Sequence, residues 1–457
     1  MTYEARPQLS VKFARPTPRR ERITSIDILR GIALLWILFS NIDIFSGPET
    51  MYEVPQGLPD TTFVNGHLAL DLALLFFKWI TTEGKDRLLF SILFGVGFFL
   101  MCERAEQKGY ADRLAETFFR RNLWLCLLGI LHGVFLWAGD ILLTYGLSGL
   151  LFLYPCRKLK ARNLLLAGVL LTCASSPLLP YFLGFAGEVD LHDEAGRVAA
   201  LRASGVRPTG AQEKIELQWR ELEVTHAVVP PSYDGGPSGR QPYRKTVEGQ
   251  AHALITELSV SRVFIVMEAT GAMLLGMGLY KAGFLTGKLP RSWYWATAAS
   301  GLLLSAPVYG LTLWKVYRSS FNFIVVYKCL YVQYEPLRLV SGIAMLSLLM
   351  LFIQSDRATA VKAVLADVGQ TALSNYLLTS MICQWLFLWS PFALFGKLTY
   401  LEHHGVMLVV WALNIVLSSL WLRAYQLGPF EWLWRSLTYW EWLPIRMEKN
   451  DRKMGLP

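Results

Sequence analysis

The chain has 457 residues, 53% of them apolar and 17% charged, and its mean hydropathy is +0.34. Apolar blocks recur from end to end, which excludes a soluble globular protein and predicts a polytopic membrane protein. The formal net charge of +9 invites a nucleic-acid reading, but the Lys and Arg residues sit in short clusters between apolar blocks, so the charge belongs to membrane topology and no nucleic-acid partner is expected.

The first apolar block follows more than twenty residues that include several Arg, and no small-residue cleavage site comes after it; it reads as a retained first span, not a signal peptide. Spans are predicted at about 27–46, 87–103, 122–138, 140–156, 163–184, 262–281, 293–313, 336–354, 367–391 and 405–423, giving an all-α bundle of about ten transmembrane helices. The stretch 67–82 is apolar but short, and Asp71, Lys78 and Glu83 interrupt or border it. If it does not cross, the clusters Arg104/Lys108/Arg113/Arg120/Arg121, Arg157/Lys158/Lys160/Arg162, Lys281/Lys288/Arg291 and Arg357/Lys362 all share the side of the basic N-terminus. It is therefore read as an interfacial or re-entrant outer helix, with both termini cytoplasmic in a bacterial inner membrane. The resulting organisation is a basic cytoplasmic segment (1–24), N-terminal membrane helices carrying the candidate site (25–184), an extracytoplasmic insert (185–261), C-terminal membrane helices (262–424) and a cytoplasmic interfacial tail (425–457). The insert, rich in Pro and Gly, is expected to be partly ordered. The six cysteines lie in or beside apolar blocks and show neither a disulfide framework nor a metal spacing, so no metal is expected.

Polar residues inside a membrane are costly and mark candidate functional positions. In the first span Arg30 and Asn41 are eleven residues apart, nearly three helical turns, so they share a face with a basic inner end and an amide outer end. Asp27 and Arg30 also suit a capping carboxylate with an i,i+3 ion pair, and Asn41 an interhelical hydrogen bond. Next come Arg120 and Arg121 at the inner start of a span, His132 in its middle, Asp140 at its outer end, and then Tyr145. An intramembrane imidazole exchanges a proton near neutral pH, which attack of a hydroxyl or amine on a thioester requires; the alternative is a neutral His bonded to a neighbouring carbonyl. Asp140 either orients that imidazole or caps the following helix. Arg120 and Arg121 suit phosphate groups arriving from the cytoplasm, or else lipid headgroups. Glu83 and Lys85 border a possible acceptor entrance, and Asn375 and Tyr376 open a later span, facing either a cavity or a packing interface. After the last span, Gly428 to Tyr439 forms an aromatic and basic stretch suited to interfacial anchoring. No P-loop, dinucleotide-binding glycine pattern, HExxH or GxSxG element is present.

The blocks Ser25-Ile26-Asp27-Ile28-Leu29-Arg30-Gly31-Ile32-Ala33, Leu89-Phe90-Ser91-Ile92-Leu93-Phe94-Gly95, His132-Gly133 with Trp137-Ala138-Gly139-Asp140-Ile141-Leu142, Ala372-Leu373-Ser374-Asn375-Tyr376-Leu377 and Gly428-Pro429-Phe430-Glu431-Trp432-Leu433-Trp434-Arg435 together resemble the bacterial YeiB-like family, domain of unknown function 418. The resemblance covers almost the whole chain in family order. It implies a transmembrane acyltransferase-like bundle akin to the acyltransferase-3 enzymes and the lysosomal heparan-glucosaminide N-acetyltransferase. The implied activity is transfer of an acyl group, expected to be acetyl, from cytoplasmic acyl-CoA as cosubstrate to an envelope sugar or lipid-linked acceptor. Acyltransferase-3 enzymes carry a catalytic His where this chain has Asn41, and the glucosaminide enzyme supplies one where this chain has Tyr52. Neither position holds a His here.

The expected mechanism therefore places phosphates of acyl-CoA near Arg30, Arg120 and Arg121, the acyl carbonyl at Asn41, and the proton on His132 assisted by Asp140; Glu83, Lys85, Tyr145, Asn375 and Tyr376 contact the substrates. His67 is a weaker alternative base. Membrane lipids and the envelope acceptor are the expected partners, and a homo-oligomer is left open. The rival readings are an exporter of an envelope precursor without covalent chemistry, and a scaffold that uses the insert as its contact surface.

Overall fold

The computed structural model describes residues 23–47, 68–109, 111–175, 186–225, 243–257, 260–326, 328–329 and 334–446. The alternative base His67 lies outside them, as do Tyr52 and the second half of the expected span 163–184. Among the described residues there are helices and no strand; one isolated antiparallel bridge joins Tyr425 to Arg446. Among the described residues six helical stretches are long and apolar enough to cross a membrane: Thr24–Ser46, Ala69–Gln107 (interrupted by a turn before Lys85), Arg262–Lys281, Arg291–Arg318, Pro336–Gln354 and Tyr400–Trp421. The chain is an all-α polytopic membrane protein.

The first span is helix α1 (Thr24–Ser46), whose 23 residues rise about 34 Å, enough to cross the hydrocarbon core. The short apolar stretch becomes α2 (Leu68–Thr81), linked to α3 (Lys85–Gln107) by a turn that ends at Gly84, whose φ of 65° favours glycine. Its 14 residues rise only about 21 Å. Leu70, Phe77 and Ile80 face outward, whereas Asp71, Lys78 and Trp79 are buried, so the charges that interrupt this run in the sequence turn into the protein.

Four of the ten expected spans take a different form. The third expected span, 122–138, is α4 (Leu114–Phe135), which begins eight residues earlier than expected and carries Glu116, Arg120 and Arg121 in its first half; His132 sits in its last turn, not in its middle. The next element runs from Leu142 to Cys156 through a π-helical turn at Gly149–Leu153, and we call it α5. Both α5 and α6 (Ala161–Ser175) are apolar but short. The expected span 367–391 is broken: α13 (Thr359–Gln370) stops at Thr371, and α14 (Ala372–Gln384) restarts there and runs into a π-helical turn at Trp385–Trp389. The break is held by a neighbour. The Glu431 carboxylate of α16 (Pro429–Tyr439) accepts hydrogen bonds from the backbone N–H groups of Leu373 (2.6 Å) and Ser374 (3.2 Å) and from the Ser374 hydroxyl, which satisfies donors that a new helix start leaves open.

The insert holds α7 (Ala186–Ala203), α8 (Gly210–Thr225) and α9 (Tyr243–Glu257). The first two are tied by the Arg202–Glu216 ion pair at 2.7 Å, and Ala195 and Trp219 join Leu75, Trp79 and Phe321 in one apolar cluster. On α9, the Tyr243 hydroxyl and the Gln250 amide donate to the carbonyls of Phe135 and Leu136, so the insert docks on the C-terminal end of α4. The bundle is completed by α10 (Val260–Lys281), α11 (Arg291–Arg318), α12 (Tyr334–Gln354) and α15 (Tyr400–Leu422).

Close helix contact explains two glycines. A Cβ on Gly31 of α1 would lie 2.0 Å from the Leu365 carbonyl oxygen, and one on Gly369 would lie 1.9 Å from that of Asp27. The backbones of α1 and α13 touch there, and this fixes Asp27 and Arg30 against the break that starts α14. The main core, with Leu34, Phe98, Phe118, Leu125, Tyr145, Met273, Tyr376 and Trp434, surrounds the same region.

Candidate functional site: a cationic cavity leading to His132

A cavity of about 330 Å³ opens between α1, α3, α4, α14 and α16. One end is charged: Arg30, Arg104, Lys108, Arg113, Arg120, Arg121 and Arg435 line it, against the carboxylates Asp27, Glu116 and Glu431. Farther along α3 and α4 the wall turns apolar, with Phe90, Phe94, Phe98 and Leu125, and it finishes at Tyr145, Ile141 and Tyr376. This polarity gradient follows from the sequence, because the basic residues cluster at the C-terminal end of α3 and the N-terminal end of α4, which lie side by side.

Several of the cations are held in place. Arg30 pairs with Asp27 at 3.0 Å, one turn away. The Arg121 guanidinium lies 3.8 Å from the centre of the Trp434 ring, and its backbone carbonyl accepts the Trp434 indole N–H at 2.9 Å. Arg120 pairs with Glu116 at 3.2 Å and lies 6.0 Å from the Trp440 ring. Thus α16, expected to serve only as an interfacial anchor, closes the cavity, caps α14 and contributes Arg435. Its burial pushes the Glu431 carboxyl up from its ordinary value and the Arg435 guanidinium down.

Beyond the apolar end lies His132, 2% exposed, with its ring 4.8 Å from that of Tyr376, centre to centre. Its Nδ1 is 2.9 Å from Asp140 Oδ1, a close approach without the alignment of a hydrogen bond. Its Nε2 is 2.9 Å from the Ser380 hydroxyl, one helical turn past Tyr376 on α14. Asp140 does both things its position allows: Oδ1 faces the imidazole, while Oδ2 accepts the Leu143 N–H at 2.7 Å and caps α5. The Asp140–His132–Ser380 arrangement is absent from the sequence reading, because Ser380 is 248 residues from His132 and is an unremarkable serine in an apolar run.

The other expected site residues divide clearly. Tyr145 lines the cavity, with its hydroxyl 2.8 Å from that of Ser91, and Tyr376 lines its end. Asn41 is half-buried and is not among the lining residues; three turns beyond Arg30, it lies past the end of the cavity. Asn375 donates to Ser418 (2.8 Å), Thr371 (3.1 Å) and the Val368 carbonyl (3.3 Å), tying α13, α14 and α15 together. Lys85 reaches back to the Trp79 carbonyl at 3.1 Å and sits 4.9 Å from the Tyr309 ring; neither it nor Glu83 lines the cavity. Beside them Glu268 takes both Arg87 (3.2 Å at each oxygen) and Arg338 (2.7 Å), a partly buried network that locks α3, α10 and α12.

A second polar centre was not anticipated. Asp43, near the C-terminal end of α1, holds the Lys78 ammonium at 2.5 Å and His403 Nε2 at 2.9 Å, all with wholly buried side chains. His404 is next to them and bonds through Nδ1 to the Tyr400 carbonyl at 2.8 Å. The donor atoms of Asp43, His403 and His404 lie within 4.8 Å of one another, but Asp43 already faces the Lys78 ammonium, a cation where a metal would have to sit. The signal for this cluster was present as a carboxylate in the first span, a lysine in a short apolar run and paired histidines at a helix start.

Comparison with known proteins adds family membership. Residues 279–441 match the model of the DUF418 family, described as a protein of unknown function. Over 436 residues the chain is 29% identical to "Uncharacterized protein YxaH" of Bacillus subtilis (strain 168), covering 94% of this chain and 97% of the relative. Over 430 residues it is 28% identical to "Uncharacterized protein YeiB" of Escherichia coli (strain K12), covering 92% and 96%. It is 26% identical over 444 residues to an "Uncharacterized 39.9 kDa protein in amylase 3'region" of Bacillus acidopullulyticus, covering 95% and 99%. No solved structure matches. The DUF418 match in the C-terminal part and the likeness to YxaH and YeiB over nearly the whole chain together support its place in the YeiB-like DUF418 family.

Proposed function

We propose that the protein is a transmembrane acyltransferase that takes an acyl group, acetyl in the simplest case, from cytoplasmic acyl-CoA and delivers it to an envelope sugar or lipid-linked acceptor. It would sit in a bacterial inner membrane with both termini in the cytoplasm. The observation that carries this reading is the gradient of the cavity: a cationic mouth, an apolar shaft, and a carboxylate-backed imidazole just behind its end. A CoA thioester has the matching order of groups, with phosphates at one end and a slender chain ending in the reactive carbonyl at the other. Guanidinium forks suit phosphate oxygens. The apolar shaft favours the chain by removing it from water. His132 takes the proton from the attacking hydroxyl or amine and Asp140 stabilises the imidazolium, as acid–base catalysis requires.

Purified full-length protein in detergent should bind CoA, measured by calorimetry or native mass spectrometry. Arg120→Gln with Arg435→Gln should weaken binding roughly 10- to 100-fold, the loss of about 1.5–3 kcal/mol expected for hydrogen bonds to a charged partner. His132→Gln should bind CoA as the parent does and lose acyl transfer. Protein that binds no CoA at millimolar concentration would sink the proposal.

A further inference from the structure

Resting on the transferase reading, we propose that Ser380 is an acylation site: the acyl group moves first from CoA to the Ser380 hydroxyl, forming a covalent ester on the protein, and only then to the acceptor. The argument begins with the protons on His132. Asp140 Oδ1 is 2.9 Å from Nδ1; the approach is not aligned as a hydrogen bond, but the negative charge beside Nδ1 favours the tautomer that carries its proton there. In the neutral imidazole Nε2 is then the acceptor. The group 2.9 Å from Nε2 is the Ser380 hydroxyl; its one proton has two acceptors in reach, the Tyr376 carbonyl at 3.3 Å and Nε2 at the shorter distance, and turned to Nε2 it donates to the base. This is the arrangement of an activated nucleophile: a hydroxyl on a base, with the base oriented by a carboxylate.

A direct transfer would need the acceptor to displace Ser380 from the Nε2 lone pair, whereas the covalent route uses the hydrogen bond already made. Ser380 lies one turn from Tyr376, the residue at the end of the cavity, so a thioester that reaches the Tyr376 ring is one helical turn from the Ser380 hydroxyl. In the first half-reaction Ser380 Oγ bonds to the thioester carbonyl carbon and its proton passes to His132 Nε2. The C–S bond breaks, and the departing sulfur takes that proton and leaves as the CoA thiol. In the second half an acceptor hydroxyl or amine attacks the ester carbon and gives its proton to Nε2. The C–Oγ bond breaks and the proton returns to Ser380.

The test uses detergent-purified full-length protein and acetyl-CoA labelled in the acetyl group, with no acceptor, quenched in acid and digested. CoA binding is measured in the same samples. The expected result is covalent label on the peptide that contains Ser380, absent in Ser380→Ala and retained in Ser380→Cys, where it becomes a thioester cleaved by neutral hydroxylamine. A serine that merely supports the imidazole would not produce that change in lability. CoA binding without covalent label in the wild-type protein overturns the acylation step and leaves direct transfer standing, and so does undiminished label in Ser380→Ala. Failure to bind CoA overturns the transferase reading and the acylation step with it. If Ser380→Ala does not fold, the Ser380→Cys lability and the site of the wild-type label decide the matter.

Discussion

The Asp43–Lys78 pair allows a quantitative test of the second polar centre. Both side chains are 0% exposed and their charged atoms are 2.5 Å apart, with His403 on the other carboxylate oxygen at 2.9 Å. Replacing Lys78 by Met keeps the unbranched stem, one atom shorter, and removes the ammonium, leaving a wholly buried carboxylate without its closest cation. Breaking a buried pair from one side costs about 3–5 kcal/mol, because the remaining charge has given up its hydration with nothing in return. Asp43→Asn strands the ammonium in the same way and should cost a similar amount. The double variant removes both charges while the amide oxygen still accepts from His403, so its stability should return to within about 1–2 kcal/mol of the parent, a coupling of roughly 3 kcal/mol or more. Unfolding in mixed micelles of increasing SDS fraction, followed by tryptophan fluorescence, measures all four proteins. Single variants that each cost less than about 1 kcal/mol, or whose effects simply add, would refute a buried ion pair that clamps α1 to α2.

Two further outcomes follow from the packing. Gly369→Ala puts a methyl group 1.9 Å from the Asp27 carbonyl oxygen, so α1 and α13 must part by roughly 1.5 Å to restore contact; overpacking of this kind costs about 1–3 kcal/mol. Thermal unfolding should show that loss, and CoA affinity should fall with it because Arg30 moves with Asp27, whereas Gly310→Ala, with open space around it, should be neutral or slightly stabilising; equal behaviour of the two would remove the close contact as an explanation. Burial raises the Glu431 carboxyl above its ordinary value. The folded protein therefore holds that proton more tightly than the unfolded chain, so stability is greatest below the unfolded value near 4.3 and declines as pH rises through the folded one. Glu431→Gln should flatten that decline in a melting series across mildly acidic to neutral pH, and a slope identical to the parent's would show that Glu431 does not titrate in this range.

The fold class was plain in the sequence because hydropathy is a local property, and the first span, the two long spans at Arg291–Arg318 and Tyr334–Gln354 and the last at Tyr400–Leu422 lie near their expected bounds. What it concealed were features set by tertiary partners. The break at Thr371 has no proline or glycine cluster to announce it; it depends on a carboxylate about 60 residues away in sequence that binds the new helix start. Likewise Asn375 has the composition of a site residue, yet its amide is consumed by Ser418 and Thr371. Arg30, Arg120, Arg121, Tyr145 and Tyr376 do converge on one cavity, as their polarity within apolar blocks led one to expect. Ser380 and Asp43 escaped notice because serines are common in membrane helices and because Asp43 lies close to the end of its span, where a carboxylate ordinarily meets water.

Among the described residues of the membrane helices there are two imidazole–carboxylate pairs, and their surroundings assign them different work. Asp43 is thirteen residues from Arg30, which at 100° per residue turns it to the far side of α1, away from the face that Arg30 shares with Asn41. There the carboxylate is already matched by Lys78, and the His403 Nε2 is directed at the carboxylate itself. That nitrogen is committed to the ion pair, so the cluster binds α1, α2 and α15 together. At His132 the order is reversed: the carboxylate is on Nδ1, and Nε2 meets a hydroxyl. Of these two imidazoles, the second has its outer nitrogen at a hydroxyl and lies against a ring that lines the cationic cavity. On the proposed transferase reading the proton chemistry belongs to α4 and α14, and the first helix contributes the Arg30 end of the cavity and, on its opposite side, the clamp that holds the bundle around it.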